Sequence, residues 1–287
     1  MKCYLCPKKC GKERDNFVGD GACKMPSSFK IAHYELFNFE EPCISIGKGS
    51  GAIFFSGCNL GCVFCQNYEI STLGKGKIID KRELINIIKE LEDMGAENIN
   101  FVSPMHYALA LVEVLKEYKP KVPVIYNTNA YEDEKVIEML APFVDVFLPD
   151  FKYCSCVLSE KFSNVPNYYE VALKSIKKMR ELKQDIYDAS GKILQGVIIR
   201  HMILPLCTND SVQVLKTIKE YLPNTKVSLL AQYTPYGRAK EFKAINRKIT
   251  FKEYNKVLQV YNDLGLDGYI QELESATEDY IPKFKFV

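Results

Sequence analysis

The sequence predicts an α/β fold: a full or partial (β/α)6-type, TIM-like barrel over residues 51–287, preceded by a small Cys-rich lobe over residues 1–50. Three observations predict it. From Gly51 onward, short β-branched and aromatic runs alternate with longer stretches of helical period. Six or seven such units follow one another, and strand–helix–strand repetition at this spacing means parallel strands joined by right-handed crossovers. Before Gly51 the chain is polar, Lys-rich and Cys-rich with few periodic apolar runs, so a bound metal is expected to hold that part together.

The elements follow in order. The first strand is Ala52-Ile53-Phe54-Phe55. Asp80 then caps a helix, with Glu83 as its capping-box partner. Leu84, Ile87, Ile88, Leu91 and Met94 share one face of that helix, and Gly95 stops it. Strands are expected at 99–102, 124–126, 144–148, 196–204, 227–230 and 269–270. Helices are expected near 107–118, 132–140, 167–182, 211–221 and 251–264. In such barrels the chemistry sits at the carboxyl ends of the strands.

Charge and hydropathy narrow the class. The net charge is +2 over 287 residues, with Lys and Arg spread along the chain, which gives no argument for a nucleic-acid or membrane surface as partner. No secretory leader is evident and no run of about eighteen apolar residues occurs, so a soluble, cytoplasmic chain is expected. Eleven cysteines are unusual for such a chain. A disulfide framework suits a small secreted domain, whereas clustered cysteines in a reducing compartment are metal ligands.

The strongest cluster is Gly57-Cys58-Asn59-Leu60-Gly61-Cys62-Val63-Phe64-Cys65-Gln66-Asn67, placed where the first barrel strand ends. Its C-x3-C-x2-C spacing supplies three thiolates to one face of a cubane cluster. A [4Fe-4S] cluster ordinarily takes four cysteines, so one iron is left for an outside ligand, such as the amine and carboxylate of an amino acid. Structural zinc sites pair their ligands in two separate hooks, which this compact triplet fits poorly. A second set, Cys3-x2-Cys6-x3-Cys10-x12-Cys23, has hook-like spacing and suits zinc, iron or a second cluster in a structural or electron-relay role, with Cys43 as a possible substitute ligand.

The triplet, with aromatic Phe64 before its last cysteine, resembles the signature of the radical SAM superfamily, where SAM is S-adenosylmethionine. The resemblance extends to Glu40-Glu41-Pro42-Cys43-Ile44-Ser45, Asn67-Tyr68-Glu69-Ile70-Ser71, Asp150-Phe151-Lys152-Tyr153, Arg200-His201 and Gln232-Tyr233-Thr234-Pro235-Tyr236. These stretches are similar to a subgroup of pyruvate formate-lyase activating enzyme homologues whose substrates are mostly unassigned. The resemblance implies that Cys58, Cys62 and Cys65 hold three irons and that SAM chelates the fourth. It implies one-electron cleavage of SAM to methionine and a 5′-deoxyadenosyl radical, which abstracts a hydrogen atom. It places Phe64 near the adenine and Asn67 in the cofactor site. Where activating enzymes carry a Gly-Gly-Glu type motif this chain has Ser103 to His106, so Ser103 or His106 is expected to hold the SAM amino group, with a helix-capping role as the plain alternative for His106.

Asn127, Thr128, Asp150 and Lys152 are expected around the SAM carboxylate, with Thr128 and Asp150 as ligands of a monovalent cation. A surface ion pair is the plain alternative for Asp150 and Lys152. Arg200 and His201 are neighbours on a strand, so one of the two is expected to enter the barrel near SAM. Gln232, Tyr233 and Tyr236 are expected to line the adenine or substrate pocket. Cys154, Cys156 and Cys207 lie just past strand ends, as hydrogen donors or as structural thiols. The expected partners are a reductant such as flavodoxin or ferredoxin and a glycyl radical enzyme. Direct modification of a small molecule or peptide is the alternative, and a non-catalytic electron carrier is the alternative of another class.

Overall fold

Why the parallel strands form is visible in their composition. Strand β2 (Ser50–Phe55) is buried at every position, as are β4 (Ile99–Val102) and β6 (Val146–Pro149). Strands covered on both faces read as continuous apolar runs. In the computed structural model, which describes residues 2–277, 284 and 286, seven strands run parallel in the order β10-β9-β8-β6-β5-β4-β2. The remaining members are β5 (Val124–Thr128), β8 (Ile193–Met202), β9 (Lys226–Leu230) and β10 (Gly268–Ile270). The sheet does not close, so the architecture is an open partial barrel of the expected α/β class.

Helices alternate with the strands, and the longer ones cover the outer face. The helices are α1 (Tyr68–Ser71), α2 (Lys81–Asp93), α3 (Ala108–Glu117), α4 (Glu134–Leu140), α5 (Cys156–Ser163), α6 (Tyr168–Leu182), α7 (Thr208–Tyr221) and α8 (Phe251–Asp263). The capping box expected at α2 is present: Glu83 N donates to Asp80 and Asp80 N donates back to Glu83. Thr250 and Glu253 form a second one at α8.

Residues 29–37, read from sequence as part of the lobe, form a strand of the main sheet. This strand, β1 (Phe29–Phe37), pairs antiparallel with β2 and with β3 (Lys77–Ile79). A two-residue strand, β7 (Ile186–Tyr187), pairs antiparallel with β8. The stretch after β1 turns into the barrel: Ile44 N and Ser45 N both donate to the Glu41 carbonyl. Cys43 and Ile44 then pack on Ile125, Val146, Leu148 and Ile198, plugging the inner end of the barrel. Cys43 is thereby placed away from the N-terminal cysteines it was considered to supplement.

Residues 2–27 remain as a small lobe against the barrel. Arg14 ties it down: Nε donates to the Met25 carbonyl (3.0 Å), Nη1 to the His106 carbonyl (2.7 Å) and Nη2 to the Pro26 carbonyl (2.5 Å). Its guanidinium also lies 5.4 Å from the Tyr107 ring centroid. Gly57 lets the lobe approach. Its φ is +84°, and a methyl group there would lie 2.1 Å from Met25 Cγ and 3.0 Å from the Cys23 carbonyl oxygen.

Candidate functional site

The carboxyl ends of the parallel strands converge on a cavity of about 600 Å³, within the range of small-molecule and cofactor sites. Cys58, Cys62 and Cys65 line it, on the loop that leaves β2. Phe64, Asn67, Ser103, Asn127, Thr128, Asp150, Lys152, Arg200 and Gln232 line it too. Ser103 reaches the wall in a left-handed conformation (φ +58°), its N–H donating to the Asn127 carbonyl. Phe64 is packed edge-on against Tyr153, Phe162 and Tyr233, with ring centroids 6.1–6.5 Å apart. Gln232 is tied to Gln271 (2.8 Å) and Gln66 (3.3 Å).

Four expected residues are not among those lining this cavity: Tyr233, whose hydroxyl donates to the Ile245 carbonyl, Tyr236, His106 and His201. His106 sits in the turn after β4, under the lobe, its Nε2 bonded to the Ser56 carbonyl at 2.7 Å. The short helical turn Met105–Tyr107 places it beside the lobe cysteines and not in the wall of the larger cavity. His201 faces the opposite side of β8 from Arg200, as alternation requires. Its Nδ1 bonds the Phe151 carbonyl at 2.7 Å and it is buried outside the cavity wall, so of the pair it is Arg200 that faces the cavity. Burial pulls His106 down to about 3 and His201 to about 4, so both stay neutral.

Arg200 does enter the cavity, but it is engaged by the plug. Its Nε donates to Glu41 (2.8 Å), and its Nη2 donates to Glu41 (2.6 Å) and to Glu40. Burial raises the Glu40 carboxyl, with Arg200 opposing and Glu41 adding repulsion. Glu41 is drawn down by the Arg200 fork in spite of its burial. The two expected cation ligands already have protein partners: the Thr128 hydroxyl donates to Glu132, and Asp150 pairs with Lys152 at 2.5 Å. Burial opposes the charge on Lys152, yet Asp150 and the nearby Cys62 raise its pKa.

Sequence reading missed four supports. Glu132 is buried and accepts from both Tyr126 (3.0 Å) and Thr128, bracing the end of β5. Asn129, Ser71 and Ser163 each meet one triplet sulfur. Only their neighbourhood to expected site residues offered a signal, and Ser163 lies on a helix the sequence did not mark.

No three His, Cys, Asp or Glu side chains among the described residues close on a single metal ion, so the fit to a cluster rests on donor chemistry. The triplet thiols are near enough to repel one another, and burial pushes Cys62 up to about 12 and raises Cys65. Three soft thiolates, hydrogen-bond donors at each sulfur and a lysine beside them suit an iron–sulfur cluster with an open iron. The four lobe cysteines line a separate cavity of about 10 Å³ whose wall includes Asn59, the neighbour of Cys58. Burial raises Cys6 to about 11, and the other three lobe thiols lie close enough to affect it.

Comparison with known proteins bears on this arrangement. Residues 52–205 match the model of the Radical SAM superfamily. An uncharacterised protein of Methanocaldococcus jannaschii is 31% identical over 278 residues, covering 92% of this chain and 75% of the relative. A 7-carboxy-7-deazaguanine synthase of the same organism is 25% identical over 158 residues, covering 50% of this chain and 63% of its own. Among solved structures, Streptococcus suis SuiB bound to its precursor peptide SuiA superposes with a TM-score of 0.53 at 13% identity, covering 78% of this chain. The chain spans about half of SuiB, 49% of its length. Methylornithine synthase PylB gives 0.51 at 13% identity, over 74% of this chain and 63% of its own. These two share the fold. No helix among the described residues is long and apolar enough to cross a membrane. With its triplet at the mouth of an open barrel and more than half its length matched, this chain belongs to the radical SAM superfamily.

Proposed function

We propose that this chain is a hydrogen-abstracting enzyme: SAM bound beside the triplet is cleaved to methionine and a 5′-deoxyadenosyl radical, and a substrate in the barrel cavity loses a hydrogen atom. When bound, the [4Fe-4S] cluster supplies the electron for that cleavage. The observation that carries the reading is the shared cavity, with the triplet, Lys152 and the polar ends of five strands facing one space at the barrel mouth. A pure electron carrier needs no such space. Cys58, Cys62 and Cys65 would hold the cluster; Lys152 and Asp150 would meet the SAM amino acid; Phe64 would pack near the adenine. A low-potential one-electron donor of the flavodoxin or ferredoxin class is the partner the chemistry demands.

The narrower version, abstraction from a glycine of a partner enzyme, rests on resemblance to activating enzymes. It predicts a glycyl-radical signal by electron paramagnetic resonance only when the partner is added. Direct modification of a small molecule or peptide predicts a new product without any partner. We further propose that Cys3, Cys6, Cys10 and Cys23 hold a second thiolate-ligated metal, as zinc or iron–sulfur, because all four line one cavity.

The test is anaerobic reconstitution of the wild type and of Cys58→Ala, Cys62→Ala and Cys65→Ala, with 5′-deoxyadenosine measured after reduction in the presence of SAM. Each substitution is expected to abolish cleavage. Retained cleavage in any of them overturns the ligand assignment. Cys3→Ala is expected to lower stability and lobe metal content while the barrel cluster stays in place.

A further inference from the structure

We propose that Ser163, Ser71 and Asn129 are positioning residues that set the reduction potential of the barrel cluster, each by a hydrogen bond to one ligand sulfur. This rests on the assignment of the triplet to a [4Fe-4S] cluster. Three separate parts of the fold deliver the donors. Ser163, the last residue of α5, places its Oγ 2.9 Å from Cys62 Sγ. Ser71, the last residue of α1, donates to Cys65 Sγ at 3.3 Å. Asn129, just past β5, donates from Nδ2 to Cys58 Sγ at 3.4 Å.

The direction of each bond is fixed by its surroundings. A ligating thiolate can only accept. The Ser163 hydroxyl, bonded also to the Tyr153 hydroxyl at 2.9 Å, therefore accepts from tyrosine and donates to sulfur. Such a chain polarises each member and strengthens the terminal bond. For Asn129, Oδ1 accepts from Tyr131 N (2.9 Å), and Nδ2 also donates to Asn59 Oδ1 (2.8 Å), so the amide nitrogen must face Cys58. The Leu60 N–H adds a backbone donor to the same sulfur at 3.4 Å.

The physics gives the sign. One-electron reduction adds negative charge to the cluster and its sulfurs, while no bond is made or broken at the serines. Hydrogen bonds to sulfur stabilise that added charge and raise the potential, whereas burial lowers it. Cys62 is 8% exposed, so burial alone makes reduction hard. The donors offset it and bring the cluster within reach of its reductant. Other serine hydroxyls of this chain turn to backbone carbonyls instead, as Ser56 does to Lys75 and Ser159 to Cys156.

The experiment is a redox titration, followed by electron paramagnetic resonance, of anaerobically reconstituted wild type, Ser71→Ala, Ser163→Ala, the double variant and Ser163→Thr. The double variant is expected to show at least a tenfold shift of the cluster equilibrium toward the oxidised form. That is a potential lower by about 59 mV for one electron. The single variants are expected to shift it partway, and Ser163→Thr, which keeps the hydroxyl, to match wild type. An unchanged potential in a double variant with full iron content overturns the proposal. So does an equal shift in Ser163→Thr, which would report packing. If the double variant sheds iron, the single variants carry the measurement, and two unchanged potentials overturn it. A wild type that takes up no [4Fe-4S] cluster would instead sink the proposed function itself.

Discussion

Two buried histidines and one buried carboxyl are expected to pull the stability of this protein in opposite directions over the same pH range. His106 and His201 are 4% and 2% exposed, and burial, the largest cause for both, holds them near 3 and 4. In the unfolded chain they titrate near 6.5. Their folded values are depressed, so below 6.5 the unfolded state binds protons that the folded state refuses, and stability falls with pH. At pH 5 each is expected to cost about 2 kcal/mol, about 4 together, at 1.36 kcal/mol per unit. Glu132 is raised by burial to about 7 from 4.5. A raised carboxyl contributes stability that is whole below the unfolded value and lost as pH rises through the folded one. Between pH 5 and 8 that loss is about 2.5 kcal/mol. These three groups alone are therefore expected to cost wild type only about 1.5 kcal/mol on going from pH 8 to pH 5, the difference of two larger effects. Urea unfolding under anaerobic conditions separates them. His106→Gln/His201→Asn is expected to become more stable by about 2.5 kcal/mol at pH 5 than at pH 8, and Glu132→Gln to lose about 4. Parallel profiles for the three proteins would refute the reasoning, since they would mean that these groups have the same proton affinity folded and unfolded.

Arg200→Met leaves Glu40 and Glu41, with side chains 6% and 3% exposed, without their shared cation. Unfolding at pH 7.5 is expected to show a loss of about 3–5 kcal/mol, and the gap should narrow by pH 4.5 as the carboxyls take up protons. Arg14→Met removes three donated bonds to lobe carbonyls and to the His106 carbonyl, at about 1–1.5 kcal/mol each. Limited proteolysis should then cut within residues 2–27 much faster while the barrel stays resistant. Asp80→Ala removes the α2 capping box, at a cost of about 1 kcal/mol and a melting point lower by about 2 °C. Iron content and SAM cleavage should be unchanged, because α2 lies on the outer face.

The sequence carried the alternation of the barrel well, because strands buried on both faces and helices with one apolar face leave unlike periods. The capping box at Asp80 was legible for the same local reason. Strand β1 was not. A register shift between Ile31 and His33 breaks its period of two, and the strand sits next to a Cys-rich stretch that suggested a metal-held lobe. At the site, residues on strands were readable from strand-end position, as with Asp150, Lys152 and Asn127. The position of His106 beside the lobe was not legible, because a strand end says where the chain leaves the sheet and not which way the next turn goes. Ser163 and Glu132 were invisible since their roles come from contacts 101 residues away in one case and from burial in the other.

That division has a chemical reason. The triplet's spacing is local, because three ligands of one cluster must be reached within a single loop, and so it is written in consecutive residues. What surrounds the sulfurs is supplied by α1, α5 and the loop after β5, parts of the chain that meet only when the barrel has formed. The lobe adds a constraint of the same kind, since Gly57, next to Cys58, is held against Met25 and the Cys23 carbonyl. A side chain added at Gly57 would thus push the lobe and the cluster loop apart, while a substitution on the outer helices would leave both in place. Ligand identity is a property of the segment, and the properties of the bound cluster are a property of the fold.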